Sequence, residues 1–405
     1  MKLQETLSYD DVTLAPAFSK LKSRSDADPS MHNFNLPIMA SCMDVLGPEL
    51  GLRLYHENIP MIAHRAFKSA KEQFDTFRNY YHKFQYQEPI SYKNLWFAVG
   101  SVQKYKDWID YLYRAGVRQF CVDMAHGDSQ ACIDTIKYIK TLFNKCSING
   151  LYEQQQHIIA GNVATADGFK RLQKAGANGI RVGIASGSIC STNIETAMGL
   201  PVLTSIIDCY KVKNKNTWLI ADGGIRTAGD IVKAVYFGAD FCLIGKLFAA
   251  TDLSSGICYN KDKEIIEPDQ VIYNPNDLPE IVGNAMASDH ASGKISDLTT
   301  FNKDDYYTKY NNNIVIYKSY HGMASRAARS NILGYAAVEG VEGLIKYTGT
   351  TEQFLTDTKL RLQAALSYGG AYNWNEFRKN VKAYKRSLSG INAADVHMDI
   401  LTKFH

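Results

Sequence analysis

No stretch of this chain approaches the ~18 consecutive apolar residues of a membrane span. The opening Met1-Lys2-Leu3-Gln4-Glu5-Thr6 has no apolar h-region, so no secretory signal is expected. Charge of one sign is also scarce. A formal net charge of +4 over 405 residues excludes a polyanion-binding surface, so neither nucleic acid nor membrane is an expected partner. A small anionic ligand remains compatible with it. The eight cysteines (42, 121, 132, 146, 190, 209, 242 and 258) form no CxxC pair, which argues against a zinc site and a disulfide framework. They read as free thiols of a cytoplasmic chain. A hydrophobic fraction of 45% against 21% charged is that of a globular protein with a sizeable core.

What the chain does have is a repeating alternation. Short apolar runs at 36–40, 59–63, 95–100, 119–123, 157–161, 179–183, 218–222 and 241–245 are separated by amphipathic segments. Strand-length runs between helical patterns indicate parallel βαβ units. Eight such units predict a (β/α)8 barrel. A doubly wound sheet is the alternative, but it would more often carry GxGxxG after its first strand, and nothing of that kind is present. Helices are expected at 102–115, 165–175 and 227–237, each running into a glycine turn. The chain is read as one barrel domain over 1–405, with a polar segment at 252–313 as an insertion or flap after strand eight. Within it, 278–287 reads as a helix, and 256–266 with 314–320 as a hairpin. A capped helix is expected from Thr350, and a basic amphipathic helix over 374–388.

Barrel chemistry sits at the C-terminal ends of the strands. Those positions carry Met43 and Asp44, His64, Asp123 and His126, Asn162, Asp222 with Gly223-Gly224, and Gly245-Lys246. The loop Arg181-Val182-Gly183-Ile184-Ala185-Ser186-Gly187-Ser188-Ile189-Cys190-Ser191-Thr192 delivers a cysteine on a small-residue backbone. A thiolate there is a candidate nucleophile. A free cysteine is as often a small core residue, so the stretch alone leaves both readings open. Adjacent glycines before a helix expose N–H groups to an anion. Asp222 would repel a phosphate and suits ribose hydroxyls. Together these features suggest a nucleoside monophosphate across the barrel mouth.

Six ordered motifs now carry a resemblance. They are Leu7-Ser8-Tyr9-Asp10-Asp11-Val12-Thr13-Leu14-Ala15-Pro16, Pro37-Ile38-Met39-Ala40-Ser41-Cys42-Met43-Asp44, Val122-Asp123-Met124-Ala125-His126-Gly127, Ala160-Gly161-Asn162-Val163-Ala164-Thr165, Gly187-Ser188-Ile189-Cys190-Ser191-Thr192 and Ala221-Asp222-Gly223-Gly224-Ile225. In this order they resemble the IMP dehydrogenase/GMP reductase family, from residue 7 to about 372 outside 252–313. The resemblance implies a (β/α)8 barrel, a homotetramer, a purine nucleoside monophosphate substrate and a nicotinamide cofactor. It assigns Cys190 as the nucleophile at purine C2, with Thr192 and Glu339 activating the leaving or attacking group. Met43, Ser188, Asp222, Gly224, Gly245, Lys246, Gly322 and Met323 fall to the substrate, and Asp123, His126 and Asn162 to the cofactor end. A potassium ion on the carbonyls of Gly183, Gly187 and Cys190 is also implied.

Two reactions are open to such a site. In one, GMP loses its 2-amino group, a thioimidate forms on Cys190, and hydride from NADPH gives IMP. In the other, IMP yields hydride to NAD and water hydrolyses the thioimidate to XMP. The resemblance favours the reductase. The interval 324–338 holds no Arg-Tyr pair of the dehydrogenase kind, only 66–94 lies where a regulatory domain would be inserted, and Lys20-Leu21-Lys22-Ser23-Arg24-Ser25 is similar to the reductase start. Glu339-Gly340-Val341-Glu342-Gly343 looks more like a bacterial dehydrogenase. IMP dehydrogenase is the alternative, and an inactive nucleotide-binding barrel the second. Departures from the family are Ala185-Ser186-Gly187 for Gly-Pro-Gly, Asn193 for a basic residue, Lys246 for Ser or Gly, and His126 for Asn or Gln.

Overall fold

The computed structural model describes residues 3–83, 94–146, 156–187, 192–291, 310–321 and 342–387. Its strands in chain order are β1 (Val12–Ala15), β2 (Ile38–Ala40), β3 (Met61–Ala63), β4 (Leu95–Val99), β5 (Gln119–Asp123), β6 (His157–Val163), β7 (Gly179–Val182), β8 (Trp218–Asp222), β9 (Phe241–Ile244), β10 (Cys258–Tyr259), β11 (Tyr317–His321), β12 (Glu342–Lys346) and β13 (Lys382–Lys385). Strands β2 to β9 pair in order and in parallel, and β9 returns to β2 to close a barrel. Each of the eight apolar runs supplies one of these strands, as the alternation predicts.

Side chains along a strand alternate between its two faces. Met39, Ile62, Trp96, Ala98, Cys121, Ile159, Ile220, Phe241 and Leu243 pack into one buried cluster, the barrel interior. Their neighbours Ile38, Ala40, Val99, Val122, Ile180 and Ile244 face outward into the larger cluster formed with the helices. Continued toward the strand C-termini, the interior row reaches Asp123, Arg181 and Asp222. The helices form where expected, at Val102–Arg114, Ala166–Ala175 and Ala228–Tyr236. Thr165 caps its helix by accepting from Gly168 N, and Gly176 closes the same helix at φ 106, a conformation that favours glycine.

After β9 the chain leaves the barrel. A short helix, Lys246–Ala249, leads into β10, then to a helix at Leu278–Ala291, and β10, β11 and β12 form an antiparallel sheet. The expected hairpin is present in narrower form, as Cys258 opposite Lys318 and Tyr259 opposite Tyr317, with β12 added as a third strand. The chain then returns as the helix Thr351–Tyr368, whose cap Thr350 accepts from Gln353 N. The two ends of this excursion are fastened together. Thr348 N donates to Ala250 O at 2.9 Å, Thr351 N to Asp252 Oδ1 at 2.8 Å, and the hydroxyls of Thr251 and Thr351 meet at 2.8 Å.

The tail departs from expectation. The helix covers only Trp374–Asn380, and Val381 turns to extended backbone. Residues 382–385 then pair antiparallel with β1. The apolar stripe of Trp374, Phe377 and Val381 is buried. Beyond it, the unpaired backbone of β1 offers hydrogen bonds that a longer helix would forgo.

Lys318 secures the sheet to the barrel. Its side chain is fully buried, and Nζ donates to the carbonyls of Thr251 (3.0 Å), Asp252 (3.1 Å) and Ser254 (2.7 Å). The Tyr273 ring lies 5.4 Å from the ammonium. Burial pulls the Lys318 pKa down, against the nearby Cys258, Asp252 and Glu49. Replacing Lys318 with Met leaves three carbonyls without their donor. We expect Lys318→Met to lower the unfolding free energy by about 2–4 kcal/mol in urea titrations. A loss below about 1 kcal/mol would show that the ammonium is not the fastening.

Candidate active site

At the C-terminal end of the barrel interior sits one guanidinium. Arg181 occupies the third position of β7 and is 7% exposed. A buried cation requires partners, and the ends of β5 and β8 bring them. Nη1 donates to Asp123 Oδ1 at 2.6 Å, while Nε and Nη2 donate to Asp222 Oδ2 at 3.0 and 2.9 Å. The Cys42 sulfur lies 3.4 Å from Nη1. Burial opposes the charge on Arg181, but the carboxylates of Asp222 and Asp123 outweigh it and hold its pKa well above the ordinary value. Asp123 is also held by Arg65 Nε at 3.2 Å. Burial alone would raise the Asp123 pKa, and the two arginines bring it down to about 2. Burial pushes the Cys42 thiol well up, so it stays protonated.

Asn162 completes the group. Its Nδ2 donates to Asp222 Oδ2 and to Gly183 O, each at 2.7 Å. Asp222 Oδ2 therefore takes three donors, while Oδ1 takes no hydrogen bond among the described residues. Asp222 thus offers one open acceptor beside the Gly223-Gly224 turn, which is the geometry a sugar hydroxyl needs.

The loop after β7 is moored to this turn. Ser186 Oγ donates to Asp222 O at 2.7 Å. Gly183 and Gly223 allow the approach: a Cβ on Gly183 would lie 2.0 Å from Asp222 O, and one on Gly223, at φ 98, would lie 2.4 Å from Ser186 Oγ. The departure Ala185-Ser186 is accommodated with Ala185 at φ 62. The Ser186 hydroxyl provides a tie that a proline could not. Across the mouth, Gly245 abuts the Met43 sulfur and the Tyr320 hydroxyl, at 2.7 and 3.4 Å from an ideal Cβ position. Met43 is buried, whereas Lys246 is exposed at the start of its short helix.

The structure thus brings together Met43 with Gly245, and Asp123 with Asn162 and Asp222. Gly224 lies on the same turn as Asp222. Thr192 begins the helix Thr192–Thr196. Cys190, Ser188, Glu339, Gly322 and Met323 lie outside the described residues. Of the three residues expected at the cofactor, Asp123 has both oxygens engaged internally, His126 is exposed, and Asn162 keeps Oδ1 as an acceptor. For the potassium expectation, Gly183 and Gly187 are described, and the Gly183 carbonyl already accepts from Asn162. The third carbonyl of that expectation, that of Cys190, lies outside the described residues, and no step below uses a potassium ion.

Arg181 is the residue the sequence reading missed, although it opened the cysteine stretch. The available signal was its setting: a lone cation in an apolar strand must find carboxylates, and Asp123 and Asp222 end two other strands of the same barrel.

A closed parallel barrel with its polar groups at the strand C-termini places the chain among (β/α)8-barrel enzymes. The chain belongs to the IMP dehydrogenase/GMP reductase domain family, whose model matches residues 6–265 and 307–397, and it is an oxidoreductase of that family. It is 28% identical over 444 residues to the inosine-5'-monophosphate dehydrogenase of Borreliella burgdorferi, with 97% of each chain covered. It is 29% identical over 380 residues to the GMP reductase of Staphylococcus carnosus, covering 92% of this chain and 94% of that one. The inosine-5'-monophosphate dehydrogenase of Nitrosopumilus maritimus is 32% identical over 306 residues, and there the match spans 75% of this chain and 54% of the relative.

Removing Arg181 gives a signed pH test. In the wild type, the Asp123 contribution is present above the unfolded value near ~4 and is lost as pH falls toward about 2. Between pH 5 and 8 it is therefore flat. Arg181→Met leaves two carboxylates in the interior without their shared cation, at a cost of about 3–5 kcal/mol at pH 8. Protonation then relieves them, so the variant gains stability as pH falls from 8 to 5, read by thermal unfolding. A variant whose stability does not rise on acidification would refute the hub.

Proposed function

We propose that the chain is a GMP reductase, converting GMP, NADPH and a proton to IMP, ammonia and NADP. The observation that carries the direction is the interval 324–338, which contains no Arg-Tyr pair. Hydrolysis of a thioimidate needs an activated water, whereas reduction needs none. The end-to-end match with a GMP reductase supports the same direction. The match of equal extent with the Borreliella burgdorferi dehydrogenase favours the second reading, oxidation of IMP by NAD.

In this reading Asp222 Oδ1 accepts from the ribose hydroxyls, and the Gly223-Gly224 turn with Gly245 receives the phosphate through backbone N–H groups. Lys246 adds a cation at that end, and Met43 lies against the base. Arg181 keeps the site's carboxylates ionised while holding β5, β7 and β8 in register at their ends. Ser186 ties the cysteine loop to β8, so the Cys190 thiolate is presented to purine C2. Thr192 with Glu339 delivers a proton to the departing 2-amino nitrogen. NADPH, when bound, supplies the hydride to C2. Return of the electron pair to Cys190 sulfur then frees IMP.

A paired absorbance assay at 340 nm on purified protein checks this. Loss of NADPH with GMP, reduced by at least ~1000-fold in Cys190→Ala, is the expected result. NADH formation with IMP and NAD would overturn the direction in favour of the dehydrogenase.

A further inference from the structure

The two glycines that follow Asp222 have different neighbours. Gly223 lies against the cysteine loop at Ser186 and Gly187. Gly224, at φ 74, lies against a part of the chain not yet used: an ideal Cβ there would be 3.3 Å from both Tyr9 Cε2 and Val202 Cγ1. Tyr9 begins the 3-10 turn Tyr9–Asp11 near the start of the chain, and Val202 begins the helix Val202–Tyr210. They are 2% and 4% exposed. The Tyr9 hydroxyl is buried and has no hydrogen-bond partner among the described residues, so what Tyr9 offers Gly224 is its ring.

The segment that carries Tyr9 is itself pinned. Leu7 N donates to Thr204 Oγ1 at 2.6 Å and Thr204 N to Leu7 O at 3.1 Å, which ties it to the helix Val202–Tyr210. Lys233 Nζ, from the helix Ala228–Tyr236, donates to Tyr9 O at 2.7 Å. Asp10 pairs with Arg226, two residues beyond Gly224, and Arg386 N donates to Asp11 O at 2.8 Å. The ring therefore cannot withdraw without breaking contacts to two barrel helices. The turn that it touches has the opposite character. Glycine has more backbone freedom than any other residue, and ordering it on binding costs entropy. Arg226 N and Thr227 N are taken by Asp230 Oδ2 at 3.0 Å each. Among the described residues no acceptor holds the N–H groups of Gly223 and Gly224.

We propose that Tyr9 is a positioning residue for phosphate recognition: its ring, together with Val202, holds Gly224 so that the N–H groups of the turn stand ready for the 5'-phosphate of the substrate. This rests on the reading of the site as one for a nucleoside monophosphate. Tyr9 acts through Gly224 and not by contact with the ligand. It spares the turn the entropy of ordering on binding, so its effect falls on the phosphate and leaves the nucleoside alone. A residue near the start of the chain thereby sets affinity at the end of β8.

The experiment is calorimetric binding of IMP to the full chain, with inosine affinity read by displacement of IMP. Wild type, Tyr9→Phe and Tyr9→Leu are compared. Tyr9→Leu should bind IMP about tenfold more weakly with inosine unchanged. Tyr9→Phe keeps the ring and should match the wild type for both ligands. Equal weakening of IMP and inosine would mark a general structural role and overturn the proposal. So would an unchanged IMP affinity in Tyr9→Leu, or a Tyr9→Phe that behaves like Tyr9→Leu. Should Tyr9→Leu fail to fold, Val202→Ala applies the same test: a loss of about threefold for IMP alone supports the proposal, and an unchanged IMP affinity overturns it. Absence of IMP binding by the wild type would overturn the nucleotide reading instead. Hydrogen exchange of the amides of 223–227 then decides the positioning role alone. Faster exchange in Tyr9→Leu than in wild type and Tyr9→Phe supports it, and equal exchange in all three refutes it.

Discussion

A single guanidinium inside the mouth of the barrel sets the terms for everything above it. Arg181 is held charged in the interior by Asp123 and Asp222, and it in turn helps to keep those carboxylates ionised, with Arg65 as a second cation on Asp123. Each is an expensive group to bury alone, and together they are mutually satisfied. The three residues come from β5, β7 and β8, so the same contacts that settle the charge also fix where three strands end. Asn162, Ser186 and the Gly223-Gly224 turn are arranged around that fixed point.

The interior of the barrel divides accordingly. Below the guanidinium, aromatic and aliphatic side chains such as Trp96, Phe241 and Ile159 fill the space and exclude water. Above it, small residues and open acceptors face the mouth. Cys42 and Cys121 sit at the boundary, and burial raises both thiols, Cys121 to about 12. They are therefore inert neighbours of a reactive region. In the proposed reaction the nucleophile is Cys190, and burial leaves Cys42 and Cys121 as packing.

Much of this was legible in the residues because barrel strands, buried on both faces, read as unbroken apolar runs. All eight runs became strands, and Thr165, Gly176 and Thr350 marked helix ends through local rules that hold wherever the helix packs. The tail was misread because residues 382–385 carry no local signal of pairing with β1, whose partner lies some 370 positions away. Of the site, Met43, Asp222 and Asn162 were placed where the strand ends predict. The resemblance put Asp123 at the cofactor end, and its contacts with Arg181 and Arg65 were not legible, because sequence shows that a carboxylate ends a strand but not which cations it will meet. Arg181 escaped notice because its role exists only once the closed barrel brings the ends of β5 and β8 to its side chain.

The fastening at Thr251, Asp252, Thr348 and Thr351 has a consequence for how this chain can vary over evolution. The entry and exit of the excursion are held together by hydrogen bonds that belong to the barrel side. The ends of the intervening chain are therefore already closed, and the entropy of closing a longer or shorter loop changes only logarithmically with its length. The excursion behaves as a cassette: segments can be added or removed far from the neck with little effect on the barrel. The stretch 266–306, which falls between the two portions matched by the family, lies in such a position.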